Sequence, residues 1–185
     1  MKTRIALAVL LCLGLAAAAR ARQVGGVDLP DTVTVEGKML KLNGGGVRTK
    51  AIFKVYVAGL YLETPGRDAA SIASSDQVKR MTLVLLRGLD KGKITEAITE
   101  GFEKNSRAQL PALKARLDRF NAMIPDLEKG DQIVLTYVPG KGTEVSAKGA
   151  AKGTIEGKDF ADALFSVWLG ANPVQEDLKK ALLGG

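Results

Sequence analysis

Residues 51–62 (AIFKVYVAGLYL) constrain this chain more than any other segment. The run is crowded with β-branched and aromatic side chains, which argues for a long strand. Thr64-Pro65-Gly66 ends it, and residues 77–89 (QVKRMTLVLLRGL) read as a second long strand with an apolar centre. Before them, residues 23–34 form an entry segment turning at Leu29-Pro30-Asp31. Residues 38–42 alternate polar and apolar, and Asn43-Gly44-Gly45-Gly46 reads as a turn. Beyond residue 92 the period changes. Ile94, Ala97, Ile98 and Phe102 recur every three or four residues, as in an amphipathic helix, and Leu110, Leu113, Leu117, Phe120 and Met123 form the stripe of a second. Residues 133–138 return to strand, the hairpin turn Pro139-Gly140-Lys141-Gly142 follows, and short strands are expected at 143–147 and 152–155. Asp159 is placed to cap a helix with Phe160, Ala163, Leu164 and Val167 on one face, and a last short helix is expected over residues 175–183. Strands come first, then helices, a strand meander and helices again. That grouping favours an α+β fold with a mainly antiparallel sheet over the βαβ alternation of a parallel one.

The chain has 185 residues, enough for one domain with a sizeable core. It contains no histidine, which excludes Ser-His-Asp and Cys-His machinery and any His-ligated metal. Its one cysteine, Cys12, can make neither an internal disulfide nor a thiolate cage. No metal and no cofactor are expected. Lys2 and Arg4 precede an uncharged apolar run over residues 5–18, and Ala19-Arg20-Ala21 fits the small-x-small cleavage rule, with Ala17-Ala18-Ala19 as an alternative. The run is shorter than the ~20 residues that span a bilayer, so residues 1–21 read as a secretory signal peptide. Leu11, rather than a small residue, precedes Cys12, which argues against a lipid anchor. Residues 22–185 are then a single mature domain, periplasmic or secreted, with no membrane span. Losing Lys2, Arg4 and Arg20 lowers the formal charge from +7 to +4 and removes the cysteine, so stability must come from the core.

Three features resemble sites without the context a site needs. A phosphate loop requires a helix directly after its glycines, and a strand follows Gly44-Gly45-Gly46. The basic residues are dispersed along the chain, which is not the clustered pattern of a nucleic-acid binder, so no nucleic-acid partner is expected. Glu96 with Glu100, and Asp159 with Asp162, lie at helical spacings and read as solvated faces. Arg48 is different, because a mostly apolar strand follows it. Even spacing puts Arg48, Lys50, Lys54 and Tyr56 on one face of a continuous strand. A guanidinium near a phenol can grip a carboxylate or an enolate. The alternative is an exposed polar face of the sheet.

Leu40-x-Leu42-Asn43-Gly44-x-Gly46-Val47-Arg48-x-Lys50, followed by residues 53–62 (FKVYVAGLYL), resembles the chalcone isomerase-like family. Glu100-Gly101-Phe102 with Asn105, Gly130-Asp131, Pro139-Gly140-x-Gly142-Thr143, residues 160–165 and Trp168-Leu169-Gly170-x-x-Pro173-Val174 extend the likeness over residues 25–184, closest to the bacterial exported branch. The resemblance implies an open-faced β-sandwich, in which a large antiparallel sheet is covered by a layer of helices with the ligand cleft between. In the plant enzymes of the family a chalcone phenolate adds across its own enone, and an arginine that corresponds to Arg48 steadies the enolate. The other polar positions do not carry over: the strand threonine becomes Tyr56, the helix tyrosine and asparagine fall at Ile94 and Gly101, and the late threonine or serine falls at Val167. The family's fatty-acid-binding members use an Arg and a Tyr, which implies a ligand-binding pair at Arg48 and Tyr56 and no catalytic set. The expectation is a non-catalytic binder of a small amphipathic ligand such as a fatty acid, with Phe53, Ile94, Ile98 and Phe102 as candidate packing residues. A chalcone isomerase-type intramolecular lyase and an envelope partner-binding protein are the alternatives.

Overall fold

The computed structural model describes residues 21–185, so the signal-peptide expectation falls, but for Ala21, outside the described residues. The described residues open with a small hairpin, β1 (Ala21–Val24) and β2 (Val27–Pro30), in place of the expected entry segment. Seven strands then form one sheet: β3 (Thr32–Val35), β4 (Lys38–Lys50), β5 (Phe53–Leu62), β6 (Lys79–Leu85), β7 (Gln132–Val138), β8 (Gly142–Ala147) and β9 (Ala150–Ile155). Every pairing is antiparallel, in line with the mainly antiparallel sheet that the grouping of elements predicts, and spatial order follows chain order. Helix α1 (Ala69–Ser74) fills the β5–β6 connection, which sequence patterning left unassigned. Helices α2 (Lys91–Asn105) and α3 (Leu110–Met123) leave the sheet after β6 and return to β7, while α4 (Lys158–Leu169) and α5 (Glu176–Leu182) close the chain.

One expectation about local structure is overturned. Gly44-Gly45-Gly46 is not a turn: β4 runs straight through it, and the turn lies later, at Ala51-Ile52. The glycines are there because both faces of β4 are closely covered. A Cβ on Gly44 would collide with the Ala181 carbonyl oxygen of α5, and one on Gly46 would lie 2.8 Å from the Ala181 Cβ. On the opposite face, a Cβ on Gly45 would lie 2.6 Å from Leu29 Cδ1, and Gly45 pairs across the ladder with Gly59, which also borders Leu29. The β1–β2 hairpin thus docks through Leu29 on one face, and α5 lies against the other. Asn43, the bulge residue where the register shifts, donates to the Leu182 carbonyl at 2.8 Å and accepts the Gly66 N–H at 2.8 Å, tying α5 and the β5–α1 loop to β4.

The main core lies between the concave face of the sheet and the helices. Helix α4 is its centre. Beyond the expected Phe160, Ala163, Leu164 and Val167, it also buries Ala161, Phe165, Trp168 and Leu169, because α1, α2 and α5 flank it while the sheet lies beneath. Asp159 does not cap α4. Gly157 takes that position at φ 97°, and Asp159 in the first turn accepts both Arg116 nitrogens at 2.7 and 2.6 Å. Arg116 accordingly holds the Asp159 carboxyl below the usual range. Of the other carboxylates read as solvated, Glu100 is tied to Lys104 at 2.6 Å and Asp162 to Lys158 at 2.6 Å.

Candidate functional site

Arg48 and Tyr56 stand directly opposite one another across the β4–β5 ladder. Opposed residues of an antiparallel pair project from the same face, so both side chains enter the space between sheet and helices. They share that face for a reason other than the even spacing along one strand that the sequence suggested. The chain reverses at Ala51-Ile52, which puts Arg48 and Lys50 on β4 but Lys54 and Tyr56 on β5. Val55 is an extra residue at the register shift, so Lys54 falls opposite Thr49 and takes no part in the cavity wall, while Val55 and Tyr56 both line it. The bulge re-aims one residue and spares the pair.

The cavity they enter has a volume of about 430 Å³, within the ~300–1,000 Å³ typical of small-molecule clefts. Leu83, Leu85 and Ile133 form its floor on the sheet, and Ile94, Ile98 and Val167 form its walls on α2 and α4. Ile94, Gly101 and Val167, the positions where the family resemblance loses its polar groups, therefore all border this space. Gly101 has no room for a larger side chain, since a Cβ there would lie 2.8 Å from Val167 Cγ2. Of the four expected packing residues, Ile94 and Ile98 line the cavity and Phe102 and Phe53 do not. Phe102 is buried in the core against Phe160, their ring centroids 5.5 Å apart. Phe53 is half exposed at the β4–β5 tip, beneath the Arg87 guanidinium. The mouth is basic: Lys50, Lys93 and Lys104 border it with a single carboxylate, Glu100. That carboxyl is held below the usual range by its bond to Lys104 and, more weakly, by the charges of Lys50 and Arg48.

At the polar end, the Trp168 indole N–H donates to the Tyr56 hydroxyl at 3.0 Å. An indole can only donate, so the phenol oxygen accepts there and its own proton stays available to a ligand. Burial pushes the Tyr56 phenol up to about 12, against the smaller opposing effects of the Trp168 bond and the Arg48 charge. Tyr56 is a neutral donor near pH 7, not a base. Arg48 Nη1 donates to the Thr49 carbonyl and, at 3.2 Å, to Gln175 Oε1, which also accepts the Thr49 N–H at 2.8 Å. Gln175, the residue just before α5, therefore pins the guanidinium while Nη2 and Nε take no part in these bonds. Sequence reasoning gave Gln175 and Trp168 no role, because their contacts cross from β4 and β5 to the C-terminal helices. Among the described residues no three His, Cys, Asp or Glu side chains gather as a metal site would need, and no helix is long and apolar enough to cross a membrane.

The family model described as chalcone isomerase-like matches residues 21–184. No curated protein matches the chain. Among solved structures, the crystal structure of a fatty-acid binding protein from Arabidopsis thaliana superposes with a TM-score of 0.69 at 16% identity, covering 85% of this chain and 92% of that one. At that identity the likeness concerns the fold: a large antiparallel sheet with helices laid over it.

Proposed function

This chain belongs to the chalcone isomerase-like family, and on that footing we propose that it binds a small amphipathic acid, such as a fatty acid, without transforming it. The observation that carries this reading is the division of the cavity into an apolar chamber and one cationic, hydrogen-bonding end at Arg48 and Tyr56. The carboxylate accepts from the free guanidinium nitrogens and from the Tyr56 hydroxyl, and the hydrocarbon chain lies along Ile94, Ile98, Leu83 and Leu85. Binding gains about 0.8 kcal/mol for each methylene buried. The fold shared with a fatty-acid binding protein supports the same class of ligand.

An intramolecular lyase would use Arg48 as electrophile and Tyr56 as proton donor. Ile94, Gly101 and Val167 give such a reaction no further polar group, which is why binding is the preferred reading. Native mass spectrometry of the purified protein should find co-purified acids that Arg48→Ala loses. Titrated with dodecanoate, that variant should bind about 10- to 100-fold more weakly, the worth of a charge-assisted hydrogen bond. Tyr56→Phe should cost about 3- to 10-fold. Unchanged affinity in Arg48→Ala would refute the site, and an Arg48-dependent conversion of chalcones would move the protein to the lyase class. We also propose that residues 1–21 direct export, so that the ligand is met outside the cytoplasm. An N-terminal mass showing no cleavage near Ala21 in envelope fractions would end that reading.

A further inference from the structure

The tip of the β4–β5 hairpin has no structural reason to be apolar. Ile52 is 85% exposed, the most exposed large hydrophobic among the described residues, and Phe53 beside it is 53% exposed. Ala51, the first residue of the two-residue loop, holds φ 53°, a left-handed conformation that costs an L residue energy and that glycine adopts freely. A loop selected for stability and solubility alone would put glycine and a polar residue there. Instead it presents an isoleucine at its apex.

The surroundings of the apex are cationic. Lys50 and Phe53 are register partners at the base of the loop, Lys54 follows, and the Arg87 guanidinium lies over the Phe53 ring, 4.6 Å from its centroid. Among the described residues none of Lys50, Lys54 and Arg87 has a carboxylate within 4 Å, whereas Lys93 and Lys104 beyond them are matched by Asp90 and Glu100. An apolar apex ringed by unmatched cations, with an aromatic ring under a guanidinium at its shoulder, is the arrangement that enters a headgroup layer: the apolar atoms pass the phosphates and the long basic side chains stay at their level. Lys50 also borders the mouth of the cavity, so the apex and the entrance occupy the same end of the molecule.

We propose that the Ala51-Ile52-Phe53 tip docks the protein on an anionic phospholipid surface, with the cavity mouth facing the bilayer so that an acid passes between membrane and site. The docking surface itself stands on the tip's exposure and charge, and only the cargo rests on the ligand-binding reading. A second copy of the chain is the competing occupant of an exposed apolar apex. Charge argues against it, since two such tips would bring Lys50, Lys54 and Arg87 of both copies together.

The test is flotation with phosphatidylcholine vesicles, with and without phosphatidylglycerol. It uses residues 21–185, within which the main core and a smaller cluster of Val35, Leu40, Tyr61, Val78 and Val138 are both made, so that the apolar segment before them takes no part. The protein is expected to float with the anionic vesicles and to be released as salt rises. Ile52→Ser, at a site too exposed to disturb folding, should weaken partitioning by about tenfold or more, and Lys54→Glu should weaken it comparably. Both variants should keep the dodecanoate affinity of the unaltered protein in solution, since neither residue lines the cavity. No flotation, equal flotation of Ile52→Ser, or a dimer in sedimentation that Ile52→Ser converts to monomer would each overturn the proposal. If flotation depends on Ile52 while dodecanoate fails to bind, the docking surface stands and the ligand reading falls.

Discussion

Replacing Gly44 by alanine adds one methyl group and should be among the most damaging small substitutions in this protein. Gly44 has an ordinary backbone conformation, so the penalty is purely steric. The new Cβ would overlap the Ala181 carbonyl oxygen and lie 2.6 Å from the Leu182 carbonyl oxygen. Both obstacles are backbone, which cannot rotate aside as a side chain can. If α5 holds its place and β4 yields, the cost is that of overpacking, about 1–3 kcal/mol. If α5 lifts, Leu178 and Leu182, which are 1% and 0% exposed, lose their cover at about 1.5–3 kcal/mol each, and the Asn43–Leu182 bond adds about 1 kcal/mol. Since β4 is clamped on its other face by Leu29, lifting is the expected response and about 4–7 kcal/mol the expected loss. Urea unfolding measures it, and at this size 3 kcal/mol corresponds to roughly 6–12 °C in Tm. Trypsin should cut the variant faster at Lys179 and Lys180 if α5 is released. Gly92→Ala is the control: nothing lies within 4 Å of its Cβ position on α2, and the helix should gain up to about 1 kcal/mol. A Gly44→Ala protein within about 0.5 kcal/mol of the unaltered one, with no change in proteolysis, would refute the close seating of α5 on β4.

Two further perturbations test the electrostatics. Lys79 is fully buried, donating to the Ile72 and Ser75 carbonyls at 3.2 and 3.1 Å, and desolvation drives its ammonium down to about 8 despite Asp162 at 3.7 Å. With the folded value below the unfolded one near 10.5, the unfolded chain binds more protons between them, so stability should rise from about pH 8 to 10 with a slope approaching 1.4 kcal/mol per unit. Lys79→Met should remove that rise, and parallel pH profiles of the two proteins would show the reasoning to be wrong. The comparison stops at pH 10 because Tyr56 and Tyr61, both raised to about 12, act in the opposite sense above it. At the site, Gln175→Ala should weaken dodecanoate binding about 3- to 10-fold by freeing Arg48. Gln175→Glu keeps an acceptor for Arg48 and Thr49 but neutralises the guanidinium, so it should weaken binding more than alanine does. If glutamate is instead tolerated better, Gln175 serves packing and not the charge of the site.

The fold was legible where one residue's environment is set by its near neighbours. The apolar runs of β6 and β7 and the three-and-four spacing in α2 and α3 report a buried face that lies a single layer away, and the expected elements match to within a few residues. Legibility failed at Gly44-Gly45-Gly46, since glycine signals a need for space or for unusual dihedrals without saying which. Turns are the commoner cause, but here the need comes from α5, more than 130 residues further along the chain. Helix α1 escaped notice for a related reason. At six residues with only Ile72 buried, it has too little periodic pattern to register, and Asp68, which caps it by accepting the Ser71 N–H at 2.8 Å, sits beside Pro65-Gly66 in what reads as a plain loop.

Arg48 and Tyr56 show how a pair of site residues can be found through the wrong geometry. Counting eight residues along one strand places them on a common face, and so does pairing them across a hairpin, because both arguments depend on parity. The two differ for Lys54, which the single-strand count keeps on the face and the bulge at Val55 removes from it. That difference matters chemically. A continuous strand would have set four polar side chains along the cavity face, interrupted only by Ile52, a surface suited to a polyanion. The hairpin instead confines Arg48 and Tyr56 to one end, leaves Lys50 at the mouth, and turns Lys54 out beside the exposed Ile52. The same reversal of the chain therefore creates both the single polar end of the cavity and the basic, apolar tip beside its entrance. A ligand with one charged group and one hydrocarbon tail is what the first requires, and a surface made of such molecules is what the second would meet.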